Sequence, residues 1–430
     1  MSKSETMPNG ERHVKASPLA ALRHRNFRWF WSGQCVSLIG SWMQRASQAW
    51  LVLEMTDSPF LLGLIGVMQF LPVMLLSLVA GVIADRLPKR KLILAMQLSL
   101  GAQALILSAL VYTGRVEYWH VLLLALWQGV ATAFDTPTRQ SFIVEMVGKK
   151  DLMNAISLNS AIFNGARVIG PAIGGLVMHH FGAGLAFLLN GVSYLFVCYA
   201  LLIMQIDGSP RQVRERSMLR EIKEGLNYAQ RTPQVLEVLS LVGLIGIFSL
   251  NMSILIPVLA RDVLGQTAAG FGLLMSFMGA GAVCGAGSLA YLSHLGPKRQ
   301  LLFGGAFAMT VTQILLSQVT GYWASVALVF LLGGGLITYS ATANSSLQVA
   351  APDHLRGRVM SLHSLLNGGT SPLGNLFAGT VTDLFGAAGG FLACGGIGLL
   401  CTTLLYWRGG ARAAGNDSSR REESPSNTTL

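Results

Sequence analysis

Charged side chains are scarce in this sequence, 12% of 430 residues, where a soluble globular domain carries about 25%. With 52% apolar residues, that scarcity excludes a chain solvated all round. Cysteine is also sparse: the five, at 35, 198, 284, 394 and 401, are dispersed within apolar runs. That spacing excludes a disulfide framework and a cysteine metal cluster. The period-two alternation of half-buried strands is weak throughout, which leaves helices as the open structure whose backbone is satisfied within lipid. The first 26 residues are polar and lack the apolar core of a cleavable leader, so the first apolar run reads as the insertion signal. Nucleotide chemistry lacks its motifs: Gly279-x-Gly281 follows no strand, and Val147-Gly148-Lys149-Lys150 is no phosphate-binding loop. His179-His180 has no further ligands in the pattern, so neither a metal nor a cofactor is expected.

What remains is a succession of apolar runs, each long enough to cross a hydrocarbon core of roughly 30 Å. Twelve are read, near 28–53, 60–83, 92–113, 118–145, 154–179, 183–205, 234–260, 268–292, 300–319, 323–349, 359–383 and 386–407. A net charge of +11 is a nucleic-acid signal in a soluble chain, but its placement here argues against that partner. With the amino terminus inside, 26 of the 31 Lys and Arg fall on one side of the membrane. Both termini are therefore expected in the cytoplasm by the positive-inside rule. The expected fold is an all-α membrane protein of twelve transmembrane helices in two pseudo-symmetric six-helix bundles. Its parts are a cytoplasmic tail (1–26), a first bundle (27–206), a cytoplasmic linker (207–232), a second bundle (233–407) and a disordered tail (408–430).

Two internal registers carry the duplication. At an offset of 209, Gly63-Leu64 recurs as Gly272-Leu273, and Pro88-Lys89-Arg90 as Pro297-Lys298-Arg299. At an offset of 204, Gly165, Gly170, Gly175 and Phe181-Gly182 recur as Gly369, Gly374, Gly379 and Phe385-Gly386. Registers so close indicate one unit present twice.

The boundary after the second span, Gly81-Val-Ile-Ala-Asp85-Arg86-Leu-Pro-Lys89-Arg90-Lys, resembles the signature loop of the major facilitator superfamily. Gly81, Asp85, Arg86, Lys89 and Arg90 match its pattern, and Pro88 stands where the family usually has glycine. The resemblance implies that this loop gates the cytoplasmic side, with the Asp85 carboxylate favoured near helical N–H groups. In the second copy, Ser293-His294 replaces the acid, so the latch is expected to be one-sided. Arg167 followed by Gly170-Pro171-x-x-Gly174-Gly175 resembles the superfamily's antiporter motif. The same likeness implies that Gly170, Pro171, Gly174, Gly175, Gly374 and Gly379 pack the halves together, small residues allowing close approach. Asp135-x-Pro137-x-Arg139 resembles the enterobactin-exporter and macrolide-efflux branch, although Ala125 occupies a position where the family often has arginine.

Polar residues at steps of three and four mark cavity-lining faces. They are Gln34, Ser41, Gln44, Arg45 and Gln48 in the first span, and Gln128, Thr132, Asp135 and Arg139 in the fourth. The second half offers only neutral groups: Asn251 in the seventh span, and Thr342, Ser345 and Gln348 in the tenth. The mid-span arginines 45, 139 and 167 outnumber Asp135, so the cavity is expected to be positive and to suit an anionic or neutral amphipath, such as a siderophore or antibiotic-like molecule. The alternative is structural pairing of these arginines with Glu54 or Glu145. Asp135, with Arg139 and Arg167, is the candidate for proton coupling. The expected function is export of a small molecule by alternating access, with H+ as the counter-ion, the bilayer as surroundings and no obligatory protein partner. The competing class is a membrane sensor or assembly factor on the same fold; no residues support an enzyme.

Overall fold

The computed structural model of the chain describes residues 19–206, 218–292 and 296–422. All regular structure among them is helical. The first half holds α1 (Arg25–Thr56), α2 (Pro59–Arg86), α3 (Lys89–Tyr112), α4 (118–147), α5 (149–181) and α6 (Ala183–Ile203). A connector helix, α7 (Met218–Arg231), leads to the second half. There follow α8 (Pro233–Val263, interrupted at 249–251), α9 (Ala268–Tyr291), α10 (Arg299–Leu316), α11 (Tyr322–Ala350), α12 (353–385, interrupted at Thr370) and α13 (387–422). Among the described residues, eight helical stretches are long and apolar enough to cross a membrane by length and composition.

Local sequence explains where the helices stop. Ser58 accepts from Leu61 N at 3.3 Å with Pro59 in the first helical position, an N-cap that starts α2. Pro233 likewise takes the first position of α8, there without a side-chain cap. Gly148, Gly182 and Gly386 take φ of 68°, 79° and 70° with ψ near 180°, backbone that is essentially glycine-only. Gly182 and Gly386 are the repeated Phe-Gly pair, so the duplicated glycine marks the same turn in each half.

The apolar runs stop within a few residues of the helix ends except at the carboxyl end. There α13 continues to Glu422, through the segment expected to be disordered from 408. No proline interrupts the chain between Pro372 and Pro425, so nothing forces an earlier stop. Residues 1–18, 207–217 and 293–295, which include the Ser293-His294 copy of the loop, lie outside the described residues.

The basic triplets that mark the repeat anchor each half to itself. Arg90 donates to Leu201 O at 2.6 Å and Leu202 O at 2.8 Å, closing the carboxyl end of α6. Its counterpart Arg299 donates to Tyr406 O at 2.6 Å near the end of the apolar part of α13 and pairs with Glu237 at 2.7 Å. The connector belongs to the second half: Tyr228 Oη donates to Ala350 O at 3.0 Å, and Glu224 pairs with Arg358 at 2.5 Å.

The halves meet at one end and part at the other. At the end holding Asp57, a Cβ added to Gly63 would lie 3.2 Å from Gly379 Cα, and one added to Gly175 would lie 2.9 Å from Gly272 Cα. By the two registers these are one contact made twice, 63 answering 272 and 175 answering 379. Asp383 accepts from Ser58 Oγ at 2.6 Å and Phe60 N at 3.2 Å, while Arg261 donates to Leu53 O at 2.5 Å and Asp57 at 2.6 Å. Trp50 stacks on Phe271 with ring centroids 5.5 Å apart. At the end holding Arg86, a Cβ on Gly81, Gly165, Gly287, Gly357 or Gly368 would meet nothing within 4 Å.

Candidate functional site: two cavities that share Arg45

Two cavities share Arg45 as a lining residue. The first, about 320 Å³, is walled only by the first half, chiefly α1, α4 and the start of α5. Asp135 is 3% exposed there and accepts from Arg139 Nη2 at 3.0 Å and Gln97 Nε2 at 2.9 Å. Arg139 also donates to Gln34 Oε1 at 2.7 Å. The acid is therefore neutralised across one helical turn, and each partner is held by an amide from another helix. Ser41 and Tyr194 share a hydrogen bond at 3.1 Å, and Gln69 donates to Gln128 at 3.3 Å. Thr132 completes this wall.

Arg45 has no such partner. Among the described residues no carboxylate lies within 4.0 Å of it; its guanidinium sits over Trp42, 5.0 Å from the ring centroid. The pairing alternative fails on the acids themselves. Glu54 accepts from Trp50 Nε1 at 2.5 Å, and Glu145 takes Lys89 at 2.5 Å. Around Asp135, Arg139 and Arg45 the cavity thus carries one uncompensated positive charge.

The second cavity, about 220 Å³, is apolar and built by both halves. Leu62, Ile65, Phe70, Phe271 and Met275 are among its apolar lining, with Gln48, Gln69, Ser253 and Asn375 as polar points. Gly66 makes room for Asn375, whose Nδ2 would lie 2.5 Å from an added Cβ.

Several expected site residues stand elsewhere. Gln44 is fully buried against α3 and α6, donating to Gln103 at 3.1 Å and accepting from Asn190 at 2.6 Å; on the closely packed first helix its face meets protein, not cavity. Asn251 lies in the interruption of α8, donates to Ile247 O at 2.9 Å and packs on Gly374. Thr342 is buried, Ser345 and Gln348 are exposed, and none of the three lines either cavity. Arg167 also lines neither, so it is not grouped with Asp135 and Arg139; it lies on the α5–α9 contact, where a Cβ on Gly279 would come 3.2 Å from its carbonyl.

The glycine motif divides by helical phase. Pro171 and Gly175 face α9 across the cleft, but Gly170 and Gly174 pack on Trp42 and Met43 of α1 within their own half. Gly374 likewise packs on α8 of its own half, whereas Gly379 faces α2 across the cleft. In the loop, Arg86 is exposed, Lys89 pairs with Glu145, and Arg90 donates to the end of α6, both within the first half. The Asp85 side chain lies outside what the structure describes.

Sequence patterning passed over Gln69, Gln97, Asn159, Tyr194 and Asn375. Gln97 and Gln69 are amides inside apolar runs, a signal of the same kind as those used for the first span. The aromatic walls Phe70 and Phe271 carry no such signal.

The helical fold has counterparts among known proteins. The chain belongs to the transmembrane secretion effector family of the major facilitator superfamily, whose model matches residues 16–428. It is 24% identical over 386 residues to the staphyloferrin A transporter of Staphylococcus aureus, covering 88% of this chain and 95% of that one. It is 27% identical over 356 residues to the multidrug efflux pump Tap of Mycolicibacterium fortuitum (80% and 86% covered). With macrolide efflux protein A of Streptococcus pyogenes it shares 21% over 384 residues (88% and 94% covered). Among solved structures, a variant of the nucleoside transporter NupG superposes with a TM-score of 0.73 at 10% identity, covering 89% of this chain and 98% of that one. A bacterial homologue of the human lysosomal transporter Spinster gives 0.69 at 11%, covering 89% and 95%. The protein is a multi-pass membrane transporter, of a family of transporters and not of enzymes.

Proposed function

We propose that this chain exports an anionic or neutral amphipathic small molecule by alternating access, in exchange for protons. In this reading twelve helices span the membrane, both termini and the connector α7 are cytoplasmic, and the halves rock about the shared cavities. The observation that carries it is the contact pattern: the halves are joined at the Asp57 end and apart at the Arg86 end. With the basic residues inside, that is a carrier open to the cytoplasm. The relatives named for staphyloferrin A, macrolides and multiple drugs support a small-molecule cargo. The unpaired Arg45 favours an anion over a cation, since a cationic cargo would meet a cavity already positive.

Asp135 is the proposed proton carrier. In this conformation its carboxylate is engaged by Arg139, and the proposed cycle frees it in another conformation, where the pair separates. Asp135→Asn is expected to bind cargo but to lose proton-driven accumulation. An export rate in proteoliposomes that ignores collapse of the proton gradient would remove the coupling. Cross-linking Arg86→Cys to Gly357→Cys tests the carrier itself: export is expected to stop and to resume on reduction. Unimpaired function while cross-linked would favour the sensor instead.

A further inference from the structure

The inference here rests on the export reading and concerns what the cargo must look like. We infer that the two cavities form one bipartite site, in which Arg45 binds an acidic group and the apolar chamber beyond it takes a flat, largely apolar body bearing one hydrogen-bonding group that Gln48 satisfies.

Gln48 supplies the first observation. It is 1% exposed, lines the apolar chamber, and both its Nε2 and its Oε1 lack any hydrogen-bond partner. Buried amides are nearly always paired, because each orphaned group forfeits the hydrogen bonds that it had in water. Gln34, Gln97 and Gln69 each make a hydrogen bond, with Arg139, Asp135 and Gln128 respectively, although Gln34 Nε2 and Gln97 Oε1 are left over. Gln48 alone among these presents a complete donor–acceptor pair to an apolar space. A ligand with a hydroxyl or amide at that depth would complete it.

Charge supplies the second. Arg45 stands where the chambers join, without a carboxylate, and is backed by the Trp42 ring. A planar guanidinium left open is suited to a carboxylate or sulfonate, which it can bind through two parallel N–H donors. Size supplies the third. Ligand pockets typically run roughly 300–1,000 Å³, so a chamber of about 220 Å³ is small for a whole cargo but adequate for the apolar part of one. The polar chamber then holds the rest.

Placement divides the labour. The polar chamber touches only the first half, so occupying it cannot by itself couple the two halves. The apolar chamber lies between them, with Phe271, Met275 and Asn375 on the far side. It also lies directly behind the Trp50–Phe271 stack that helps to close the Asp57 end. The acidic head selects the cargo, and the apolar body is the part the second half feels.

The test uses the full chain in lipid nanodiscs, with empty nanodiscs to subtract partition into lipid, and equilibrium dialysis of three probes. These are 6-hydroxy-2-naphthoate, the same ring without the hydroxyl (2-naphthoate), and a cationic isostere (6-hydroxy-2-naphthylmethylammonium). Saturable binding is expected for the first, about 3- to 10-fold weaker binding for the second, from the usual worth of a hydrogen bond, and none for the third. Arg45→Gln is expected to weaken both naphthoates by roughly 10-fold or more. Gln48→Leu is expected to weaken only the hydroxylated probe, erasing the difference between the two. The inference is overturned if the cation binds as well as the anion, if Gln48→Leu leaves the hydroxyl preference intact (water alone then serves that amide), or if no probe binds saturably. If the probes fail while the 86–357 cross-link still blocks export, the export reading stands and the bipartite site falls.

Discussion

Replacing Gly175 by alanine should push the resting conformation away from the one seen here. The new Cβ would lie 2.5 Å from Ala268 O and 2.9 Å from Gly272 Cα. Both are backbone atoms on α9, so no side chain can rotate aside. Restoring ordinary contact requires the helices to part by roughly 1 Å, and overpacking of this kind costs about 1–3 kcal/mol. The strain exists only while the Asp57 end is closed. The better helix propensity of alanine, about 1 kcal/mol, acts in both conformations and cancels from their ratio. Closed-to-open populations should therefore fall by roughly 5- to 150-fold, and adding Gly63→Ala should shift them further, because it loads the symmetry-related contact. The assay is electron–electron resonance between spin labels at Thr113→Cys and Gln318→Cys, which end α3 and follow α10 on that side, with the five native cysteines replaced. Gly165→Ala, which meets nothing within 4 Å, is the control. Distances unchanged by Gly175→Ala, or changed equally by Gly165→Ala, would refute the gating role of the glycine pair.

Asp383→Ala should lengthen the same spin-label distance, since it removes the acceptor for Ser58 Oγ and Phe60 N across the cleft; a distance distribution identical to the parent's would count against it. Gly182→Ala and Gly386→Ala should each lower Tm, by about 1–3 kcal/mol of stability, because alanine is forced into glycine-only backbone; nanodisc thermal denaturation measures it, and an unchanged Tm would show that the turns relax freely. Arg299→Ala should destabilise the second half by about 1–2 kcal/mol, the partly exposed Glu237 pair being discounted for solvent screening. Limited proteolysis checks this by earlier cleavage of α13 than of α6.

Much of this was legible because repetition is itself a structural signal. Gly63, Gly175, Gly272 and Gly379 stand out by offset, and they are the four glycines of the doubled contact at the closed end. Helical phase placed Gln34, Ser41, Asp135 and Arg139 on shared faces, and they do line one cavity. Phase does not say which neighbour a face meets, and there the sequence ran short. Gln44 shares the polar stripe of α1 yet turns to α3 and α6, and Gly170 and Gly175 belong to one motif yet face different helices. Thr342, Ser345 and Gln348 lie at the right spacing but line neither chamber, because the second half contributes through Phe271, Met275 and Asn375. Those residues carry no charge pattern to betray them. Lys89 and Arg90 match the pattern of a gating loop, but that pattern does not name their partners, Glu145 and the end of α6.

The doubled glycine contact bears on how such a chain could have arisen. One half alone carries both members of the pair, Gly63 on α2 and Gly175 on α5, so two copies related by a twofold axis along the membrane normal would satisfy each other at both seams. The linker between the halves is then needed for stoichiometry rather than for fit, and a six-helix ancestor could have worked as a homodimer before fusion made its two pores' worth of walls free to diverge, one keeping the ions and the other the grease.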